Sequence, residues 1–137
     1  MLIRKTEAAC HQLDWAIRLL VDLDQPLPAI TLASAAEEML GKAVGEGSAH
    51  ESLVKTFMAS HGLDRKTISQ AHLNRAKNWL KHWDYPSEPD EAEFDLEAEA
   101  VNAIARAMVN LVTYDRTTCS EGPKFFAWTQ AHYGNGP

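Results

Sequence analysis

Arg75, Asn78 and His82 stand three and four residues apart in the stretch Asn74-Arg75-Ala76-Lys77-Asn78-Trp79-Leu80-Lys81-His82. On a helix that spacing brings all three to one flank, within about 60° of one another over two turns. An imidazole takes or returns a proton near neutral pH, while a guanidinium and an amide donate to the charge that builds on a phosphate under attack. Those groups suffice for metal-independent cleavage of RNA by its own 2′-hydroxyl. The same spacing also fits a solvated flank whose side chains lie over Trp79.

Lysines run beside this flank. With Arg75 set at zero, Lys66, Gln70, Asn74, Lys77 and Lys81 fall between about 180° and 260°, away from an apolar stripe that holds Ile68, Ala76, Trp79, Leu80 and Trp83. A strip of Lys66, Lys77 and Lys81 next to Arg75 can track a phosphate backbone, and it is equally the ordinary outer face of a surface helix. Between Lys55 and His82 there are six basic residues and one acid, Asp64, whereas Asp84 to Glu99 holds eight acids and no base. The formal charge of −6 is therefore an average over two segments of opposite sign.

Other chemistries lack their residues. The chain has no GxGxxG, GxxxxGK[ST], GxSxG or HExxH, so phosphate loops, the nucleophile elbow and the zincin ligand pair are excluded. Six histidines, at 11, 50, 61, 72, 82 and 132, raise the question of a metal. Glu7 with His11 and Glu46 with His50 are four apart, but a di-metal bundle repeats Glu-x-x-His on two helices, and that repeat is missing. Neither a metal nor a cofactor is expected. His72 falls on the apolar face, as a core histidine or as the edge of a pocket inside the bundle. Cys10 lies on an apolar stripe and reads as structural; Cys119 reads as a thiol that could be exposed, with no partner marking it as a nucleophile.

At Arg75 to His82 the chain resembles the HEPN-like helical bundles, many of which are ribonuclease toxins or inactive relatives that act as dimers through an arginine and a histidine with four to six residues between them on a late helix. Here six residues lie between Arg75 and His82. The resemblance implies an all-helical fold, a homodimer, RNA as partner, His82 as base or acid, and Arg75 with Asn78 as the phosphate-binding groups. Active members usually carry a polar residue directly after the arginine, where this chain has Ala76. A non-enzymatic module that binds a partner protein through its helix faces is the second reading.

The elements that must hold these residues are helices. Ile3, Cys10, Leu13, Ile17 and Leu20 recur at steps of three, four and seven, giving a first helix from Leu2 to about Val21, with Glu7, His11, Asp14 and Arg18 on its opposite flank. The run Asp24-Gln25-Pro26-Leu27-Pro28 breaks it. A second helix, from about Ala29 or Thr31 to Val44, is rich in alanine and suited to close packing. A third spans about Ala49 to Ser60, and a fourth about Asp64, its N-cap, to Trp83. A fifth runs from near Asp95 to Tyr114 or Arg116, and a sixth from Lys124 to Tyr133 with Pro123 in its first turn.

With 137 residues, no internal repeat and no linker, the whole is expected to be one all-α domain, residues 1–137, a single bundle of five or six helices. No apolar run reaches the roughly 18 residues that cross a bilayer, and no signal peptide opens the sequence, so no membrane and a cytoplasmic location are expected. The aromatics Trp79, Trp83, Tyr85, Phe125, Phe126, Trp128 and Tyr133 supply either core or a homodimer surface.

Overall fold

The computed structural model describes residues 1–62, 73–83 and 89–134, without the side chains of residues 57 and 61. Within them the chain forms six α-helices: α1 (Lys5–Val21), α2 (Pro26–Val44), α3 (Ala49–His61), α4 (Arg75–Lys81), α5 (Leu96–Asp115) and α6 (Gly122–Tyr133), with a 3₁₀ turn at Gly45–Gly47. The fold is thus an all-α bundle in a single domain. Among the described residues no helix is long and apolar enough to cross a membrane.

The centre of the bundle is α2, which packs most extensively on α5 and on α1. Small residues permit that closeness. Ala29, Ala33 and Ala36 of α2 and Ala100, Ala103 and Ala107 of α5 are fully or almost fully buried, interleaved with Ile30, Leu40, Ile104 and Leu111. Leu13, Ile17 and Leu20 bring the stripe of α1 into the same core, and Phe125 closes it from α6. At Gly41 of α2, a Cβ would lie 3.4 Å from the Asn110 amide of α5.

Several helix ends differ from the sequence expectation, each for a local reason. α1 begins at Lys5 rather than Leu2, so Ile3 precedes the helix and is exposed. α2 begins at Pro26, not after Pro28: both prolines fall within its first turn, where backbone amides have no intrahelical acceptor and a missing N–H costs nothing. α5 starts where the acidic run suggests, with the Asp95 carboxylate accepting from the Ala98 amide at 3.0 Å.

The fourth helix departs furthest. Its described part starts at Arg75, with Asn74 as N-cap at φ −111° and ψ 7°, and stops at Lys81, because His82 turns to extended backbone at φ −129° and ψ 134°. Trp83, assigned to the apolar stripe, is 85% exposed as a result. Asp64, Lys66, Ile68, His72 and Tyr85 lie outside the described residues.

Two further expectations change. Asp14, placed on the polar flank of the first helix, is buried, and its carboxylate accepts the Glu121 backbone N–H at 2.9 Å, which docks the start of α6 onto α1. Cys119 is buried, not exposed, and hydrogen-bonds the same carboxylate. Burial first, and Asp14 second, push its thiol up to about 12. It is therefore a protonated, unreactive group at neutral pH.

Candidate functional site

α4 rests against α2 through Ala76, which is buried, and Leu80, which packs on the core. On another side it meets the segment leading into α5. The Trp79 indole N–H donates to the Pro89 carbonyl at 2.9 Å, and its ring meets Phe94 edge-on at 5.8 Å. The Arg75 guanidinium lies over the same Phe94 ring, 4.8 Å from its centroid. Held there, Arg75 places positive charge near Glu99, opposing the burial that raises the Glu99 carboxyl above its ordinary range.

Of the three residues singled out for catalysis, two therefore lie on this short helix and the third just past it. Arg75 is its first residue and is half-buried, Asn78 is half-buried in its middle, and His82 is exposed just beyond its end. The His82 backbone N–H donates to the Asn78 carbonyl at 3.0 Å, tying the helix end together. Seven residues of rise separate Arg75 from His82 by about 10 Å along the axis. Of the lysine strip, Lys66 lies outside the described residues, Lys77 is mostly buried and Lys81 is exposed.

Two clefts flank α2, and α4 contributes Asn74, Lys77 and Lys81 to their described linings, not Arg75, Asn78 or His82. The lysine face thus turns toward α2. The two clefts share a boundary of charge: Glu38 of α2 pairs with Lys42 and with Lys77, each at 3.7 Å.

On one side of that boundary is a mainly acidic cleft of about 600 Å³, where Glu37, Glu38, Glu46 and Glu51 meet His50 and Asn74, and whose lining shares Lys42 and Lys77 with the other cleft. It lies over the start of α3. The Ser48 hydroxyl accepts from the Glu51 amide at 3.2 Å, and the buried Asn110 side chain accepts from the Ala49 amide at 2.8 Å while donating to the Glu37 carbonyl at 3.3 Å. Glu37 is nearly buried and pairs with Arg106 at 2.6 Å, so its charge is balanced inside the bundle. Burial lowers the His50 pKa below its ordinary 6.5 despite the pull of Glu37, which leaves a neutral imidazole at pH 7. Among the described residues no three His, Cys, Asp or Glu side chains form a group that could hold a metal ion.

On the other side is a basic cleft of about 710 Å³ that follows one face of α2 from Thr31 to Ala43. Lys5 from α1, Lys42 from α2, and Lys77 and Lys81 from α4 surround it, and Tyr114 from α5 stands at its edge. Glu38 is its one carboxylate among the described lining. The sequence expectation reached Lys77 and Lys81. It missed Lys5, Lys42 and Tyr114, which are far apart in the chain and meet only because α1, α2, α4 and α5 converge.

The fold and site define an all-α bundle with a basic and an acidic cleft on either side of one central helix. Comparison with protein-family models, curated proteins and solved structures gives no match.

Proposed function

We propose that the protein is a HEPN-like, nucleic-acid-associated bundle that acts on RNA as a homodimer, with His82 as general base or acid and Arg75 and Asn78 as donors to the scissile phosphate. The observation that carries this reading is the arrangement around α4: an exposed histidine at its end, an arginine at its start, and Lys77 and Lys81 turned into a basic cleft beside them. Lysines arranged along a groove bind a phosphate backbone without regard to sequence. The imidazole of His82, open to solvent, is accessible to a ribose 2′-hydroxyl.

A second copy of the chain completes the reading. With Arg75 and His82 about 10 Å apart along one helix, a pair of such helices across a two-fold axis sets the arginine of one protomer beside the histidine of the other. Exposed apolar side chains on α5, Val109 and Val112, and on α6, Phe126 and Tyr133, supply surface for association. The same exposed side chains favour the second reading, a non-enzymatic module that binds a partner protein through its helix faces.

Structured RNA incubated in chelator with wild type, Arg75→Ala and His82→Ala separates the two. Wild-type cleavage that falls at least about 100-fold in each variant is expected, the range lost when a general acid or base is removed. Equal cleavage by all three, or none by any, removes the ribonuclease reading and leaves the binding module.

A further inference from the structure

The basic cleft has the composition of a binding site for a small phosphate ester as well as for a strand. Its volume of about 710 Å³ falls within the range of small-molecule sites, roughly 300–1,000 Å³. Its two halves differ in chemistry. Lys5, Lys42, Lys77 and Lys81 provide positive charge, whereas Met39, Leu40 and the Tyr114 ring, which is half exposed, provide apolar surface.

Ser34 stands one turn before Glu38 on α2. It is 5% exposed, lines the cleft, and its hydroxyl has no hydrogen-bond partner among the described residues. The Ser34 oxygen still reaches solvent through the cleft, so a ligand hydroxyl can take the place of water there. Glu38 then sets how strongly the cleft attracts an anion. Its carboxylate, half exposed, sits between Lys42 and Lys77 and offsets both.

We infer that this cleft binds a nucleoside phosphate: the lysines hold the phosphate, Ser34 meets a sugar hydroxyl, and Tyr114 stacks on the base. The phosphate displaces the Glu38 carboxylate from Lys42 and Lys77, exchanging one anionic partner for another with more acceptor oxygens. Stacking on Tyr114 accepts any base, since every base presents a π-face. The cleft is the one whose Lys77 and Lys81 the RNA reading uses for the strand, but the inference needs none of Arg75, Asn78 and His82, which do not belong to the described lining.

Calorimetric titration with AMP, adenosine and inorganic phosphate tests it. AMP is expected to bind at least about tenfold more tightly than either fragment, because both halves of the cleft are then engaged. Lys42→Gln and Lys81→Gln each weaken AMP at least about threefold, and Glu38→Gln tightens it by a similar factor. Tyr114→Ala weakens AMP without changing inorganic phosphate. The substituted side chains are exposed or half exposed, and circular dichroism checks that each variant is folded. Absence of AMP binding at millimolar concentration, equal affinity for AMP and adenosine, or a Glu38→Gln variant no tighter than wild type overturns the inference. A short single-stranded RNA with a 5′-phosphate identifies the source: displacement of AMP by that RNA assigns the cleft to an RNA end, and no displacement assigns it to a free nucleotide. Loss of cleavage in the His82→Ala variant with AMP binding unchanged keeps the two sites separate.

Discussion

Asn110 shows how one buried polar side chain can fix the relation of three helices. It is fully buried on α5, it caps the start of α3 through the Ala49 amide, and it donates to the Glu37 carbonyl of α2. Substituting Asn110→Ala leaves the part-buried Ala49 amide without its acceptor and removes the second donor to the Glu37 carbonyl, so a loss of about 1–3 kcal/mol is expected in urea denaturation. A change within about 0.5 kcal/mol would show that water replaces the side chain. Cys119 is the reverse case, a group that invites a reactive assignment and is silenced by its surroundings. With its thiol pushed up to about 12 by burial and by Asp14, native protein at pH 8 is expected to leave Cys119 unmodified by iodoacetamide and denatured protein to lose it at once. Rapid labelling of the native protein at Cys119, read by mass spectrometry, would refute the packing described around α6.

At the scale of elements, helix ends are set by local chemistry and helix environments are not. Asp95 caps α5 and Ser48 caps α3, each visible as a short polar residue before an apolar run. Asp95→Ala is expected to cost about 1 kcal/mol, read as a lowered midpoint in thermal denaturation, with the helix otherwise retained. α4 is different. Its angular pattern correctly separates Ala76 and Leu80 from Lys77 and Lys81, but the lysine side faces a cleft against α2 rather than open water. A pattern of polarity marks which residues share a side; it does not mark whether a polar side is covered by a neighbour carrying the opposite charge, here Glu38.

For the whole molecule, the internal charge pairs and His50 give a dependence on pH. The folded state holds His50 below its ordinary 6.5, because burial outweighs Glu37, while Arg106 and Lys77 add to the lowering. As pH falls through 6.5 the unfolded chain takes up the proton first, so His50 costs nothing above that value and removes stability progressively below it. Glu99 acts in the opposite direction at lower pH, since burial raises its carboxyl above 4.5 and lets the folded state bind a proton first. Denaturation of wild type and His50→Gln at pH 7.5, 6.5 and 5.5 isolates the histidine. Wild type is expected to lose more stability than the variant between the first and last pH; parallel curves would show that His50 is hydrated.

The sequence by itself determined that the chain is a helical bundle and where most helices begin and end, because periodicity, caps and prolines act within a few residues of where they are read. It also determined the alanine-rich closeness of α2 and the separation of Ala76 and Leu80 from Lys77 and Lys81 on α4, whereas His82, expected on the same helix, stands on extended backbone past its end. Tertiary structure alone decided that Asp14 and Cys119 are buried partners, since that depends on α6 returning to α1 across more than a hundred residues. It alone decided that Lys5, Lys42, Lys77 and Lys81 surround one cleft and that Glu38 divides it from an acidic neighbour. Charges so distant in the chain act together only once the core brings their helices into contact.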